Sequence, residues 1–175
     1  MLPNLHDKWS RQHVPVAEYE ENLLEMTRSF RALTNRDGSS PHVIIVGPPA
    51  VEPKAWHRRT IDRWAGQNNL TPDDIPCNRS LEQAKLYTDA AQRAAKAAKV
   101  PFVDLCGAML AACETNPQAL DELLSDGLHL SGAGAQLLHS ELRRTMDSVP
   151  RGALKVDAFR PQFPHHHDID ADNVS

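Results

Sequence analysis

The strongest chemical signal in the sequence is a carboxylate placed three residues before a histidine, Asp126 and His129. A histidine can accept a proton from a hydroxyl near neutral pH when its tautomer and ring orientation are fixed, and a carboxylate bonded to the ring fixes both. A spacing of three residues brings the two groups within reach inside one turn. The pair therefore predicts a general base with its orienting partner. The alternative is a turn in which Asp126 caps the backbone and His129 is merely exposed.

A second group of candidate ligands lies near the C-terminus, where three consecutive histidines, His165 to His167, precede Asp168 and Asp170. Imidazole and carboxylate are ligands that zinc and similar ions accept. Adjacent residues of a single tail rarely converge on one ion, however. We interpret this segment as a solvated polar tail and predict no metal site in the chain.

The sequence also contains three cysteines and three tryptophans: Cys77, Cys106, Cys113, Trp9, Trp56 and Trp64. The cysteines form no Cys-x-x-Cys pair and are odd in number, which favours reduced thiols in an intracellular, cytoplasmic protein over a secreted disulfide framework. We interpret the cysteines as packing residues. The tryptophans could line a pocket, but large aromatic side chains more often serve packing.

The elements that must position Asp126 and His129 alternate between helix and strand. An apolar stripe with helical spacing predicts a helix over residues 15–33, and a continuous β-branched run predicts a buried strand over 43–46 that ends at Gly47, Pro48 and Pro49. The stripe consists of Tyr19, Leu23, Met26, Phe30 and Leu33. We expect this stripe to pack on the strand that follows it.

The second half of the chain repeats this order. An alanine-rich segment predicts a long helix over 78–98, and the apolar run 100–105 predicts a second strand. Further helices are predicted around Asp121 and along the stripe Leu138, Leu142 and Met146, with Ser131 as N-cap. Two helix-then-strand units predict a parallel α/β sheet, and such folds place their sites in loops at the carboxyl edge.

Length and charge limit the remaining possibilities. The 175 residues suit one domain, which we assign to 1–149, with an extended polar tail over 150–175. A net charge of -4 argues against a nucleic-acid partner, and no apolar run approaches the roughly 18 residues of a membrane span. No secretory signal is visible at the start of the sequence.

Four blocks, in order, resemble the isoamyl acetate-hydrolysing esterase branch of the SGNH (GDSL-type) hydrolases. They are residues 12–23 (QHVPVAEYEENL), 43–49 (VIIVGPP), 100–105 (VPFVDL) and 124–131 (LSDGLHLS). The match runs from about residue 12 to residue 146, and the tail 163–170 (FPHHHDID) is similar to the ends of these proteins. The resemblance favours a catalytic role for Asp126 and His129.

The resemblance implies a three-layer α/β/α, flavodoxin-like fold that hydrolyses short-chain acyl esters without a metal or organic cofactor. It implies that His129 is the base for a serine nucleophile and that Asp126 orients His129. Gly47, Pro48 and Pro49 are the loop that we expect to approach the acyl or alcohol group of a small-molecule ester.

The chain departs from the family in one important respect. It contains no Gly-Asp-Ser, no Gly-x-Ser-x-Gly and no Gly-x-Asn-Asp, and Ser10, Ser80 and Ser125 lie in none of the required contexts. We therefore expect an incomplete fold that lacks the first strands of the sheet, the nucleophile and the oxyanion residues. Such a chain is expected to be inactive alone, with an open edge at strand 43–46 that invites self-association.

Two alternatives remain open. The chain is either the C-terminal part of an ester hydrolase or a non-catalytic product that binds a partner through its open sheet edge. A third interpretation is an unrelated small α/β domain with a chance Asp-x-x-His pattern, in which His129 would lie far from any pocket.

Overall fold

The computed structural model describes residues 13–35, 38–65 and 70–149. Over these residues the elements are α1 (Val16–Arg31), β1 (Ile45–Val46), α2 (Pro53–Trp64), a 3-10 helix (Pro72–Asp74), α3 (Leu81–Ala98), β2 (Phe102–Val103), α4 (Leu105–Thr115), α5 (Ala119–Leu123) and α6 (Gly132–Ser148). The tail 150–175, with the candidate ligands His165 to His167, and Trp9 lie outside the described residues.

The two strands form a parallel sheet, as the alternation of helices and strands predicts. Ile45 lies opposite Phe102 and Val46 lies opposite Val103. The backbone N–H of Ile45 donates to Pro101 O at 3.0 Å. Within the described ranges the sheet has these two strands alone, so β1 has a neighbour on one side only.

Alanines of α3 form the centre of the core beside β1. Ala91, Ala94 and Ala95 are fully or almost fully buried and pack with Ile45. Small side chains let a helix approach a sheet closely, which suits the alanine-rich sequence of α3. The N-terminal half of α1 covers the same cluster with Tyr19 and other side chains. The predicted long helix over 78–98 is confirmed, and it begins at Leu81.

The C-terminal half of α1 does not pack as its stripe predicts. Met26, Phe30 and Leu33 are 49%, 54% and 55% exposed. The expectation that the whole stripe packs on the strand is therefore wrong. The physical reason is that the sheet is narrow: β1 spans only Ile45–Val46, and nothing in the described part of the chain covers this end of the helix.

Two helices were not predicted from the sequence. Helix α2 is largely polar, and its apolar side chains are too few to stand out as a stripe, although Glu52 caps it and Pro53 stands at its first turn. Helix α4 is apolar on most of its surface, so its start was interpreted as part of strand 100–105. Asp104 ends the strand instead, because its carboxylate accepts from the N–H of Gly107 at 2.8 Å and caps α4.

The cysteines differ from one another in burial. Cys106 is buried in a second apolar cluster with Leu105, Met109 and other side chains, as expected for a packing residue. Burial raises the pKa of the Cys106 thiol. Cys77 is exposed, so its interpretation as a packing residue is wrong. All three thiols are free.

Candidate active site

Asp126 and His129 lie in a tight loop between α5 and α6. The loop is closed by an antiparallel bridge between Leu124 and Leu130, and the N–H of Ser125 donates to His129 O at 2.8 Å. The loop ends where the Ser131 hydroxyl accepts from the N–H of Gly134 at 3.2 Å and caps α6, as predicted. The loop is thus held at both of its ends.

Asp126 binds both the backbone and the ring of His129. Its Oδ2 lies 2.8 Å from His129 Nδ1, while its Oδ1 accepts from the N–H groups of Leu128 at 3.1 Å and His129 at 2.9 Å. Asp126 was expected either to cap a turn or to bind the His129 ring, and in the structure it does both. Asp126 caps the turn and the His129 side chain is 67% exposed, yet the carboxylate also holds the imidazole.

Hydrogen bonds lower the pKa of the Asp126 carboxyl. Burial acts to raise the pKa of its carboxyl, but the hydrogen bonds from the backbone and side chain of His129 and from the backbone of Leu128 outweigh it and lower the pKa. An ionised Asp126 only accepts hydrogen bonds, so Nδ1 of His129 must carry the hydrogen between them. In the neutral ring Nε2 is then free to accept a proton.

The N-terminal end of α2 packs against this loop. The N–H of Glu52 donates to Gly127 O at 2.9 Å, and the carboxylate of Glu52 accepts from the N–H of Ala55. Gly127 has φ of +87°, and a Cβ added there would lie 2.5 Å from Trp56 N and 2.6 Å from Glu52 O. Only glycine fits between the loop and the helix.

Trp56 of α2 contacts the imidazole directly. Its ring meets the ring of His129 edge to face, with centroids 5.9 Å apart and planes at 70°. The indole Nε1–H donates to Asn78 Oδ1 at 2.8 Å. No local pattern signals this contact, because Trp56 and His129 are far apart in the chain.

A cavity of about 690 Å³ opens beside the loop. Pro48, Pro49 and Leu128 line it, so the loop after β1 and the loop that carries His129 share one space. The other lining residues are His13, Val14, Tyr19, Val51, Pro76, Cys77, Asn78, Arg79, Ser80, Gln83, Ala84 and Tyr87. Gly47 is placed elsewhere: it is buried, with its Cβ position 3.1 Å from the ring of Phe102.

Aromatic side chains form one wall of the cavity. The rings of Tyr19 and Tyr87 meet edge to face at 5.1 Å, and the Tyr87 hydroxyl donates to Val14 O. Burial, followed by the neighbouring Tyr87, raises the pKa of Tyr19. The Tyr19 hydroxyl is therefore neutral near neutral pH.

The hydroxyls of Ser80 and Ser125 form hydrogen bonds with the backbone. The Ser80 hydroxyl accepts from the N–H of Gln83 at 3.2 Å, and the Ser125 hydroxyl donates to His129 O at 3.1 Å. Neither contact points a hydroxyl at the imidazole of His129.

Over residues 13–35, 38–65 and 70–149 no group of three or more potential metal ligands is brought together. None of the helices in those ranges is long and apolar enough to cross a membrane.

Comparison with known families identifies the relatives of this chain. Residues 7–137, which are more than half of the chain, match the GDSL-like lipase/acylhydrolase family. The chain belongs to this family. The resemblance inferred from the four sequence blocks is thereby confirmed.

Similar proteins include an isoamyl acetate-hydrolyzing esterase of Saccharomyces cerevisiae, 29% identical over 87% of this chain and 52% of the yeast protein. An isoamyl acetate-hydrolyzing esterase 1 homolog of Rattus norvegicus is 30% identical over 84% of this chain and 54% of its own length. The chain thus spans about half the length of the curated relatives it matches.

Solved structures show the same fold. The crystal structure of LAE5, an alpha/beta hydrolase enzyme from the metagenome of Lake Arreo, Spain, superposes with a TM-score of 0.51. The match is 20% identical and covers 77% of this chain and 49% of that one. The α/β fold class is confirmed, with a short parallel sheet that represents an incomplete form of the family fold.

Proposed function

We propose that the chain supplies the histidine and aspartate of a carboxylic ester hydrolase that uses a Ser-His-Asp mechanism on short-chain acyl esters. The observation that carries this proposal is the 2.8 Å contact between His129 Nδ1 and Asp126 Oδ2, beside a cavity, in a chain of the GDSL-like family. The names of the yeast and rat relatives support an acetate or another short acyl group.

In this mechanism His129 transfers a proton, and Asp126 orients and stabilises the ring that carries it. Nε2 of His129 takes the proton of the serine hydroxyl as that oxygen attacks the ester carbonyl. Asp126 stabilises the imidazolium that forms, and the same proton then passes to the departing alcohol. A water molecule later attacks the acyl-enzyme with Nε2 again acting as base. Each step requires a ring with hydrogen on Nδ1, which Asp126 favours.

The nucleophile and the oxyanion donors are the missing half of the proposed site. The 175 residues contain no Gly-Asp-Ser and no Gly-x-Asn-Asp, and the chain covers about half of its curated relatives. We propose that polypeptide outside these residues supplies both. The chain alone is then inactive as an esterase, because removal of the nucleophile together with the oxyanion hole removes the two largest catalytic contributions.

The cavity is the proposed binding site for the ester. Pro48, Pro49 and Leu128 offer an apolar surface to an acyl or alcohol group, next to the loop that holds His129. Gly47 contributes indirectly, because its lack of a side chain allows β1 to lie against Phe102 of β2. Neither a metal nor an organic cofactor takes part in the proposed reaction.

The deciding experiment is the isolation of the endogenous protein with an antibody against residues 163–175. Its intact mass and N-terminal sequence are measured, and the same material is assayed with p-nitrophenyl acetate. A mass well above 19.4 kDa, a Gly-Asp-Ser peptide and ester hydrolysis are the expected results. A larger protein with the Gly-Asp-Ser peptide but no hydrolysis would contradict the proposal.

A second candidate function is favoured by the exposed sheet edge. Within the described ranges β1 pairs on one side only, and strands of this kind bind additional strands. In this case the chain is a non-catalytic module that associates with another copy or with a relative. An endogenous mass of 19.4 kDa, no ester hydrolysis and co-purification with a GDSL-like protein would favour this candidate.

A further inference from the structure

Few protein contacts restrain the ring of His129. Its side chain is 67% exposed, and the bond from Nδ1 to Asp126 is formed by two residues of the same loop. One hydrogen bond favours a tautomer, but on an exposed ring it restrains the χ1 and χ2 torsions only weakly. A base that must meet a hydroxyl within hydrogen-bond distance also needs a fixed ring plane.

Trp56 provides the second contact. Its ring meets the imidazole edge to face at 5.9 Å, a separation within the range of favourable aromatic pairs. Trp56 belongs to α2, whereas Asp126 belongs to the loop of His129 itself. The two contacts therefore come from different elements and restrain different motions of the ring.

Trp56 is itself fixed at both ends. Its backbone N–H donates to Glu52 O at 3.1 Å, at the point where Gly127 packs on α2. Its indole Nε1–H, which can only donate, is bonded to Asn78 Oδ1 at 2.8 Å. Asn78 lines the cavity and precedes α3. A chain of contacts thus connects the cavity wall with the imidazole.

We propose that Trp56, held by Asn78, is a positioning residue that fixes the ring plane of His129 for proton transfer. The catalytic meaning of this arrangement rests on the proposed ester hydrolase function, whereas the restraint on the ring is a property of the chain itself. Among the described residues Asn78 lines the cavity and Trp56 does not. Loss of Trp56 should therefore disturb proton transfer more than substrate binding.

The first test measures the ring in the 175-residue chain by NMR of ¹⁵N-labelled imidazoles. The variants are W56A, N78A and N78D, with W64A as the matched control. Trp64 lies eight residues further along α2, about 12 Å away at 1.5 Å per residue, where its ring meets the Arg63 guanidinium. We expect W56A to increase the mobility of the His129 ring severalfold, while the Nδ1–H tautomer that Asp126 favours is retained.

The Asn78 variants separate the indole bond from a general loss of structure. N78A removes the acceptor for Trp56 Nε1 and should increase the mobility of the His129 ring in the same direction as W56A, by a smaller factor. N78D keeps an acceptor oxygen and should leave the ring mobility as in the unmodified chain. If W56A does not fold, the comparison of ring mobility in N78A and N78D tests the proposal. Equal ring mobility in these two variants would overturn it.

The second test uses the endogenous, ester-hydrolysing protein. W56A should lower kcat about tenfold or more while KM stays nearly constant, since misplacement of a catalytic group affects the chemical step. W64A should retain kcat. An active protein in which W56A and W64A have equal kcat would refute the positioning role and leave the proposed function intact. A more mobile His129 ring in W56A, in a protein without hydrolytic activity, would refute the proposed function and support the restraint.

Discussion

The two carboxylate oxygens of Asp126 bind different groups. Oδ1 accepts from two backbone N–H groups and shapes the turn, while Oδ2 binds the His129 ring at 2.8 Å. The bonds to the turn also keep the carboxylate ionised, because they lower its pKa. A single residue therefore sets the backbone, the charge and the imidazole tautomer, and its replacement affects all three.

The first prediction concerns the proposed ester hydrolysis by the endogenous protein. His129→Ala should lower kcat by about 10³-fold or more, and Asp126→Asn by about 10²- to 10⁴-fold, because the base is lost in one and set in the wrong tautomer in the other. Steady-state hydrolysis of p-nitrophenyl acetate measures both. His139→Ala, at an exposed histidine of α6, is the control and should keep its activity. Full activity of the His129→Ala variant would remove His129 from the site.

A second prediction follows from the lowered pKa of Asp126. A carboxyl whose pKa is lower in the folded chain stabilises the fold above its unfolded pKa of about 3.9, and that contribution is lost as the pH falls through the folded value. Urea unfolding of the chain at pH values from 7 downward should therefore show a smaller acid loss of stability in Asp126→Asn. Equal losses in the two proteins would show that the carboxylate bonds add nothing to folding.

At the scale of elements, the site depends on how closely the loop of His129 approaches α2. Gly127 combines φ of +87° with backbone atoms of Glu52 and Trp56 less than 3 Å from its Cβ position. The obstacles are main-chain atoms, which cannot rotate away as a side chain does. The loop and the helix must therefore separate before any larger residue fits between them.

Gly127→Ala should consequently destabilise the chain by about 1–3 kcal/mol, the usual cost of a strained backbone position. Urea unfolding measures this loss, and the NMR signals of His129 should shift with it. Gly132→Ala is the matched control, since no atom lies within 4 Å of its Cβ position at the start of α6. A Gly127→Ala chain as stable as Gly132→Ala would contradict the close packing of loop and helix.

The sequence was informative about elements with a periodic pattern and about contacts within one turn. The long helix α3, the parallel pair of strands, the Ser131 cap and the meeting of Asp126 with His129 all follow from local spacing. Helix α2 is not predicted because its apolar side chains are few among polar ones, and α4 is not predicted because it is apolar nearly all round. The contact of Trp56 with His129 joins two distant segments, which no local pattern encodes.

For the whole molecule, the narrow sheet is the main physical constraint. The N–H groups of Ile45 and Gly47 donate to β2, so by alternation the N–H of Val46 points to the other side of β1. The Val46 side chain is also 36% exposed, and Met26 and Phe30 of α1 are exposed as well. The N–H of Val46 is the group to which a further strand would bind on this side.

The final prediction is that the 175-residue chain self-associates through this edge. Val46→Lys should shift the chain toward the monomer in sedimentation velocity runs over a range of concentrations, because charged side chains, lysine above all, hinder edge pairing. Leu86→Lys is the matched control: Leu86 is 53% exposed but lies on α3, so this change adds the same charge and removes an apolar side chain away from the edge. If both variants dissociate equally, association depends on general surface apolarity. If only Val46→Lys dissociates, the open strand is the contact, as expected for a chain that needs more strands to complete its sheet.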